Sequence, residues 1–138
     1  MDAAQLRAVR QRARDVCEYC QMPQALYPTV PFPLDHIIAR QHGGRTEPSN
    51  LALACLHCNS HKGPNIAGVD PNSGKLTPLF HPRRHKWSRH FRWTGSAVVG
   101  RTPIGRATIV VLALNDPDLV AVRQALIEER RWPPSTDR

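Results

Sequence analysis

The chain has 138 residues, of which 41% are hydrophobic, and this is enough for one domain with a modest core. Its 19 Lys and Arg residues exceed its 11 Asp and Glu residues, so the formal charge is +8 at pH 7. The longest apolar run, 107–114, is too short to cross a bilayer, and the polar N-terminus lacks a secretory leader, so we expect a cytoplasmic protein with no membrane contact.

The first half of the chain is predicted to contain one helix and two short strands. Residues 2–14 have apolar side chains near helical spacing, and Asp2 is placed to cap this helix. Residues 21–33 contain four prolines and are predicted to be loop. The apolar runs 34–39 and 50–54 are predicted strands, separated by a loop that contains two adjacent glycines.

The second half is predicted to be helical apart from one turn and one hairpin. The predicted elements are a helix at 58–62, a turn at 70–74, a helix at 82–90, a hairpin of 91–93 with 97–99, and helices at 103–114 and 117–130. Thr102 and Asp116, each followed by proline, are predicted to cap the two C-terminal helices. The first of these helices is rich in β-branched residues, so a strand is an open alternative there. Residues 132–138 are expected to form a frayed tail.

The four cysteines occur as two Cys-x-x-Cys pairs, Cys17 with Cys20 and Cys55 with Cys58. One such pair presents two thiolates to an ion from a tight turn, and a second pair completes a tetrahedron. This spacing predicts a structural zinc site with no open position for water. The zinc would tie the N-terminal helix to the middle of a loop-rich chain. Two disulfides are the alternative, and an expected reducing compartment argues against them.

Basic residues are concentrated in the segment 71–115, which has eight Lys and Arg residues and no acidic residue. Such a one-sided segment predicts a polyanionic partner, with nucleic acid favoured over a membrane surface. Four side chains of this segment are expected to contact phosphates: Arg83, Arg84, Lys86 and Arg89. The aromatic side chains of Trp87, Phe91 and Trp93 lie among them, and we predict that they fill the core rather than stack on bases.

The segment 34–62 carries the most specific motif of the chain, and it reads LDHIIARQHGGRTEPSNLALACLHCNSHK. It contains Asp-His at the end of a strand, a Gly-Gly loop, Asn-Leu opening a second strand, and Cys-x-x-Cys-Asn-x-x-Lys entering a helix. Together with the first cysteine pair, this order resembles the HNH endonuclease family over about residues 17–63. The resemblance implies an α+β fold with a ββα-metal (His-Me finger) core, stapled by the four-cysteine zinc site and flanked by helices.

The resemblance assigns roles to four polar residues of this segment. His36 matches the general base, Asp35 matches a ligand of the catalytic cation, and Asn50 matches the residue that holds the loop. Asn59 matches the third motif position, whose side chain reaches the metal, and a helix N-cap is its simpler alternative. An Asn there makes an H-N-N form, which favours a hard cation such as Mg²⁺ or Mn²⁺. Further side chains are expected to position phosphates: Arg40, Arg45 and Lys62.

Elementary chemistry agrees with these roles. Hydrolysis of a phosphodiester needs a base, neutralisation of charge and help for the leaving oxygen. A neutral imidazole such as that of His36 can accept a proton from water near pH 7. A cation held by Asp35 and Asn59 can stabilise the phosphate and the departing 3′ oxygen. Three further histidines have an open role: His61 at a phosphate or the metal, and His81 or His90 as an additional metal ligand.

We therefore predict a metal-dependent endonuclease that hydrolyses DNA, with RNA as an open alternative substrate. The chain is expected to be one domain with its core at about 17–63, a basic segment at 71–106 and C-terminal helices at about 103–130. The alternatives are a non-cleaving, zinc-stabilised module that binds nucleic acid, and a toxin-type nuclease. The oligomeric state is open between a monomer, which would nick one strand, and a homodimer, which could cut both.

Overall fold

The computed structural model describes residues 2–134 and shows a mixed α+β fold of short elements, as predicted. Its helices are α1 (Ala3–Arg12), α2 (Leu56–Lys62), α3 (Trp87–His90), α4 (Pro103–Val111) and α5 (Pro117–Glu128). Its strands are β1 (Leu34–His36), β2 (Leu51–Leu53), β3 (Ala67–Val69), β4 (Leu76–Pro78), β5 (Phe91–Thr94) and β6 (Ala97–Gly100). Consecutive strands pair as two-stranded antiparallel sheets. Within the described range, no helix has the length and apolar character needed to span a bilayer.

The pair of β1 and β2 leads into α2, and this ββα unit carries the predicted site. Leu34 pairs with Leu53, and His36 pairs with Leu51. All three residues of β2 are buried. Helix α1 contacts this strand, and the guanidinium of Arg12 donates a hydrogen bond of 2.7 Å to the carbonyl of Leu51. The N-terminal helix therefore supports the unit that presents the site.

Three helices begin at the capping residues that the sequence predicts. The carboxylate of Asp2 accepts a hydrogen bond from the N–H of Gln5, whose side chain accepts one from the N–H of Asp2, so that a capping box starts α1. The hydroxyl of Thr102 accepts from the N–H of Gly105 at the start of α4, and Asp116 caps α5. The strand alternative for the α4 segment is therefore wrong.

The helix predicted at 82–90 is wrong in its first half. The carbonyl of His81 accepts hydrogen bonds from the backbone N–H groups of Arg84 and His85, so these residues form a turn. Helix α3 begins only at Trp87. The pair of β3 and β4 around the predicted turn was not predicted, because its strands are only three residues long.

The core surrounds the buried cysteines and takes apolar side chains from most of the elements. The predicted packing of the aromatic residues is confirmed, because Phe91 is buried and both Trp87 and Trp93 pack against the core. The tail prediction is wrong for Trp132, which is only 8% exposed and packs edge-on against Trp93 with ring centroids 5.0 Å apart. Residues 135–138 of the predicted tail lie outside the described residues.

An ion pair with a buried carboxylate joins the turn between β3 and β4 to helix α4. The guanidinium of Arg106 donates two hydrogen bonds to the carboxylate of Asp70, at 2.9 and 3.1 Å. The hydroxyl of Ser73 and the N–H of Asn72 donate two more, at 2.7 and 3.1 Å. These bonds, led by those from Arg106, hold the pKa of Asp70 well below its usual range.

Candidate active site and metal centre

The two Cys-x-x-Cys pairs meet in one buried cluster. Their Sγ atoms all lie within 4.8 Å of one another. The cluster consists of Cys17, Cys20, Cys55 and Cys58. All four are free thiols, so the two-disulfide alternative is wrong. Each pair forms a knuckle, in which the N–H of the second cysteine points to the Sγ of the first at 3.5 and 3.4 Å.

The charge of the cluster fits a divalent cation. Burial raises the pKa of Cys58, and hydrogen bonding with Cys17 is the largest cause of the raised pKa of Cys20. Hydrogen bonds from the neighbouring thiols, first from Cys17, lower the pKa of Cys55. Without a cation, the raised pKa values of Cys20 and Cys58 oppose ionisation of these two thiols. One Zn²⁺ held by the four sulfurs would offset part of the charge of the thiolates and leave no position for water, as in structural sites.

A cleft of about 300 Å³ lies where β1 meets α2. It brings together three of the predicted active-site residues: Asp35, His36 and Asn59. Arg40, which is exposed, lines the same cleft. Asn59 is distant in sequence from the other three and meets them because β1 pairs with β2, which leads through the second cysteine knuckle into α2.

The carboxylate of Asp35 is only 4% exposed and is held by two side chains. The hydroxyl of Tyr19 donates to Oδ2 at 2.6 Å, and the ammonium of Lys62 lies 3.3 Å from Oδ1 and 3.2 Å from Oδ2. Lys62 also donates to the carbonyl of His36 at 3.1 Å. Burial raises the pKa of Asp35 despite the opposing effects of Lys62 and Tyr19. The negative charge of this carboxylate is therefore only partly compensated.

The imidazole of His36 is half-buried at the end of β1. Its Nε2 lies 2.8 Å from the hydroxyl of Thr46, in the loop between β1 and β2. A proton on Nε2 that is donated to Thr46 leaves Nδ1 with a free lone pair. That arrangement suits a histidine that accepts a proton from water.

The loop between the two strands is fastened by the buried side chain of Asn50. Its Oδ1 accepts from the N–H of Ile38 at 2.8 Å, and its Nδ2 donates to the carbonyls of Ile38 and Arg45 at 3.0 and 2.9 Å. These bonds turn Ile38 out of the strand, so β1 ends at His36, three residues earlier than predicted. A Cβ on Gly44 would lie 1.7 Å from the carbonyl oxygen of Ile38, so this close approach requires glycine.

Asn59 lies inside α2 and lines the cleft, so its alternative interpretation as a helix N-cap is wrong. The cap is Cys55, whose Sγ accepts from the N–H of Cys58. Helix α2 therefore begins at Leu56, two residues before the predicted start. The cysteine knuckle sets the start of the helix that presents Asn59 to the cleft.

The predicted phosphate-binding side chains divide into exposed ones and ones that are paired with a buried carboxylate. The exposed ones are Arg40, Arg45, Arg84, Lys86 and Arg89. Lys62 is 1% exposed in its ion pair with Asp35, and Arg83 forms an ion pair with the buried carboxylate of Glu18. We therefore correct Lys62 and Arg83 from phosphate ligands to structural cations, because each compensates a buried carboxylate.

A groove of about 440 Å³ lies between the Gly-Gly loop and the turn at His81. Arg45 of the loop and Arg84 of the turn both line it, so two distant segments place positive charge at one groove. His81 also lines it, with its Nδ1 accepting from the N–H of Arg83 at 3.2 Å. Burial, followed by the nearby charge of Arg84, lowers the pKa of His81, which favours the neutral ring.

The other unassigned histidines make structural contacts. His61 stacks on His57 with ring centroids 4.0 Å apart, and its Nδ1 lies 2.8 Å from the carbonyl of His57. The Nε2 of His57 lies 2.9 Å from the carbonyl of Leu112, at the end of α4. His90 is buried with its Nδ1 2.6 Å from the hydroxyl of Thr102. None of these rings lines the cleft.

Two side chains that touch the site were not predicted from the sequence. Tyr19 lies between the first two cysteines, and a buried tyrosine generally needs a partner for its hydroxyl, which is the signal that could have found it. Thr46 lies in a polar loop, where a threonine is common and carries no signal. Both residues contact a predicted active-site residue only because of the tertiary fold.

The ββα unit, the four-cysteine cluster and the adjoining cleft define the ββα-metal class of domain. Residues 17–65 match the family model described as HNH endonuclease, so the resemblance predicted for about residues 17–63 is confirmed. No curated protein and no solved structure matches the chain. The family match indicates a metal-dependent nuclease activity and a nucleic acid as the substrate.

Proposed function

We propose that this chain is an endonuclease that hydrolyses DNA phosphodiester bonds with the help of one divalent cation. The observation that carries the proposal is that Asp35, His36 and Asn59 line one cleft. A carboxylate and an amide oxygen suit a hard cation, and an imidazole suits the activation of water. These are the groups that hydrolysis with a single metal ion requires.

In this proposal His36 is the general base and takes a proton from the attacking water at Nδ1. The hydroxyl of Thr46 orients the ring through Nε2. Asn50 binds the carbonyl of Arg45, the residue before Thr46, and so keeps the loop and the imidazole in register. Asn50 thus acts by positioning, without contacting the substrate.

The donors of the cleft fit Mg²⁺ or Mn²⁺. A carboxylate has about four lone-pair sites, and Tyr19 and Lys62 make three contacts with that of Asp35. One site is therefore left for a cation, and the amide oxygen of Asn59 supplies a second protein ligand. Such a cation, when bound, stabilises the charge of the phosphate and of the departing 3′ oxygen.

The exposed basic side chains support DNA as the polyanion. Arg40 lines the cleft, and Arg45 and Arg84 line the neighbouring groove along the Gly-Gly loop. Contacts of this kind bind phosphates without reading the bases, so they position a strand rather than select a sequence. Lys86 and Arg89 extend the exposed positive charge beyond this groove.

A module that binds nucleic acid without cleaving it is the second candidate, and one observation favours it. The ammonium of Lys62 already lies against both oxygens of Asp35. If this ion pair is the working state of the carboxylate, no divalent cation is needed there. The exposed arginines would then only hold the DNA.

A plasmid assay separates the two candidates. Supercoiled plasmid is incubated with the protein in Mg²⁺, in Mn²⁺ and in EDTA, beside His36→Ala. His42→Ala, which removes an exposed histidine of the same loop, is the matched control. We expect nicked or linear DNA with metal, loss of cleavage in EDTA, and a rate lower by a factor of about 100 or more in His36→Ala. The control should cleave like wild type.

Two results of this assay would contradict the proposal. If wild type and His36→Ala both retard the plasmid in a gel but neither cleaves DNA or RNA, the chain is a binding module. If His36→Ala cleaves as fast as wild type, the assignment of the general base is wrong. The ratio of nicked to linear product distinguishes a monomer from a dimer with two active sites.

A further inference from the structure

The first cysteine knuckle and the candidate cleft touch through one side chain, that of Tyr19. Tyr19 lies between Cys17 and Cys20 and is 1% exposed. Its hydroxyl donates a hydrogen bond of 2.6 Å to Oδ2 of Asp35, which is also buried. The partner of this phenol is thus the carboxylate to which the proposed function assigns the cation.

The position of Tyr19 depends on the knuckle. The carbonyl of Cys17 accepts from the N–H of Gln21 at 2.9 Å, which closes the turn around Tyr19. The indole N–H of Trp87 donates to the carbonyl of Tyr19 at 2.8 Å, and the phenol ring packs edge-on against Phe80. While the knuckle is formed, the ring is held from several sides and its hydroxyl stays directed at the cleft.

The neighbouring residue in the knuckle, Glu18, reaches the other strand of the ββα unit. Its Oε2 accepts from the N–H of Leu53 at 2.8 Å, and its own N–H donates to the carbonyl of Leu53 at 2.8 Å. One knuckle therefore contacts β2 through Glu18 and β1 through Tyr19. The contact through Glu18 supports a strand, whereas the contact through Tyr19 ends on a polar group of the cleft.

We propose that Tyr19 is a positioning residue that orients Asp35 for the divalent cation and thereby links the order of the structural zinc site to the cleft. This inference rests on the proposed function, because it takes the role of Asp35 from there. The hydroxyl holds one oxygen of the carboxylate, and Asp35 lines the cleft together with Asn59. Without this bond the carboxylate is free to rotate out of that orientation, and the cation is bound less tightly.

The test is the affinity of the zinc-loaded protein for Mn²⁺, measured by electron paramagnetic resonance, which needs no cleavage. Tyr19→Phe removes the hydroxyl and keeps the ring. Tyr27→Phe makes the same change at a tyrosine that is 38% exposed and serves as the matched control. Asp35→Asn removes the proposed ligand itself. Zinc content and the unfolding midpoint are measured for every variant.

We expect Tyr19→Phe to bind Mn²⁺ about 10-fold more weakly, as is usual when a residue that supports a metal ligand is lost. Its zinc content and unfolding midpoint should stay close to those of wild type, and Tyr27→Phe should change none of these values. Raising the Mn²⁺ concentration should restore cleavage by Tyr19→Phe, because its defect lies in cation affinity. A purely structural role of Tyr19 would not produce this rescue.

Two results would overturn the inference while the proposed function stands. In the first, Tyr19→Phe binds Mn²⁺ like wild type although Asp35→Asn does not. In the second, Tyr19→Phe loses zinc together with Mn²⁺ affinity, which would mean that Tyr19 maintains the knuckle instead of orienting Asp35. If Asp35→Asn binds Mn²⁺ as well as wild type does, the proposed function loses its cation ligand, and the inference falls with it.

Discussion

Asp35 in the ββα unit and Asp70 in the turn between β3 and β4 are both buried carboxylates with a basic partner. Asp70 receives two hydrogen bonds from Arg106 and two more from neighbouring donors, and its pKa is lowered. Asp35 accepts hydrogen bonds from the ammonium of Lys62 and from the hydroxyl of Tyr19, and burial still raises its pKa. The same residue type is thus fully compensated in one region and under-compensated in the other.

The contrast between the two basic partners distinguishes a structural carboxylate from one that borders the cleft. The planar guanidinium of Arg106 matches both oxygens of Asp70 and fixes the hairpin to α4. The ammonium of Lys62 is a point charge, and Asp35 borders a cleft that it shares with His36. Incomplete compensation next to a cleft is typical of a group that takes part in function.

Removal of the zinc should have the largest effect, and it should disrupt the region of Asp35 before that of Asp70. Small metal domains commonly unfold without their metal, because binding and folding are coupled. With a strong chelator we expect amide hydrogen exchange to increase first in residues 17–65 and later around Asp70, whose partners are not part of the cluster. Readdition of Zn²⁺ should restore protection. Simultaneous loss in both regions would contradict this order.

Lys62→Met should lower the free energy of unfolding by roughly 3–5 kcal/mol, because it leaves the carboxylate of Asp35 buried without its cation. Arg106→Met is the matched change at the other pair and should cost less. Asp70 keeps two hydrogen-bond donors, and the side chain of Arg106 is 27% exposed, so water can replace it. Urea unfolding measures the free energy of unfolding of both variants.

Added Mn²⁺ should affect the stability of these two variants differently. A cation at the cleft should restore part of the stability lost in Lys62→Met and none of that lost in Arg106→Met. Equal losses in the two variants, with no effect of Mn²⁺ on either, would show that the two carboxylates are equivalent.

Asp70→Asn should have an intermediate effect on stability, and this effect should depend on pH. Because folding lowers the pKa of Asp70, its charge stabilises the fold above the unfolded-state pKa of about 4, and this contribution is lost as the pH falls through the folded-state pKa. The stability difference between wild type and Asp70→Asn should therefore shrink from about pH 5 toward about pH 2. A difference that stays constant over this range, measured by urea unfolding, would disagree with the lowered pKa.

Arg84→Ala should have the smallest effect. It tests whether an exposed arginine of the basic segment contributes to DNA binding and not to stability. DNA affinity should fall by a similar small factor for all sequences, and the slope of log K against log salt should decrease by about 1. Stability should not change, since Arg84 is exposed. Arg131→Ala, which removes an exposed arginine paired with Glu129, is the control for loss of one charge. A change confined to one DNA sequence would contradict a phosphate contact.

Much of the site could be predicted because its signals are local. The spacing of the two cysteine pairs predicts the metal cluster, and the resemblance to the HNH endonuclease family predicts that Asp35, His36 and Asn59 belong to one site. Residues that cap helices were also found, since a cap acts within three residues of itself. Lys62 and Arg83 were assigned to phosphates because their burial depends on partners elsewhere in the chain.

Local patterns in the sequence predicted the four-cysteine cluster and the α+β class, because ligand spacing and capping act over a few residues, and the motif of residues 17–63 predicted the family match. The tertiary structure alone decided which charges are compensated inside the protein. Tyr19 and Asp35 are 16 positions apart, Lys62 and Asp35 are 27 apart, and Arg83 and Glu18 are 65 apart. Such pairs form only when folding removes both groups from water, and that cost and its compensation are properties of the whole fold.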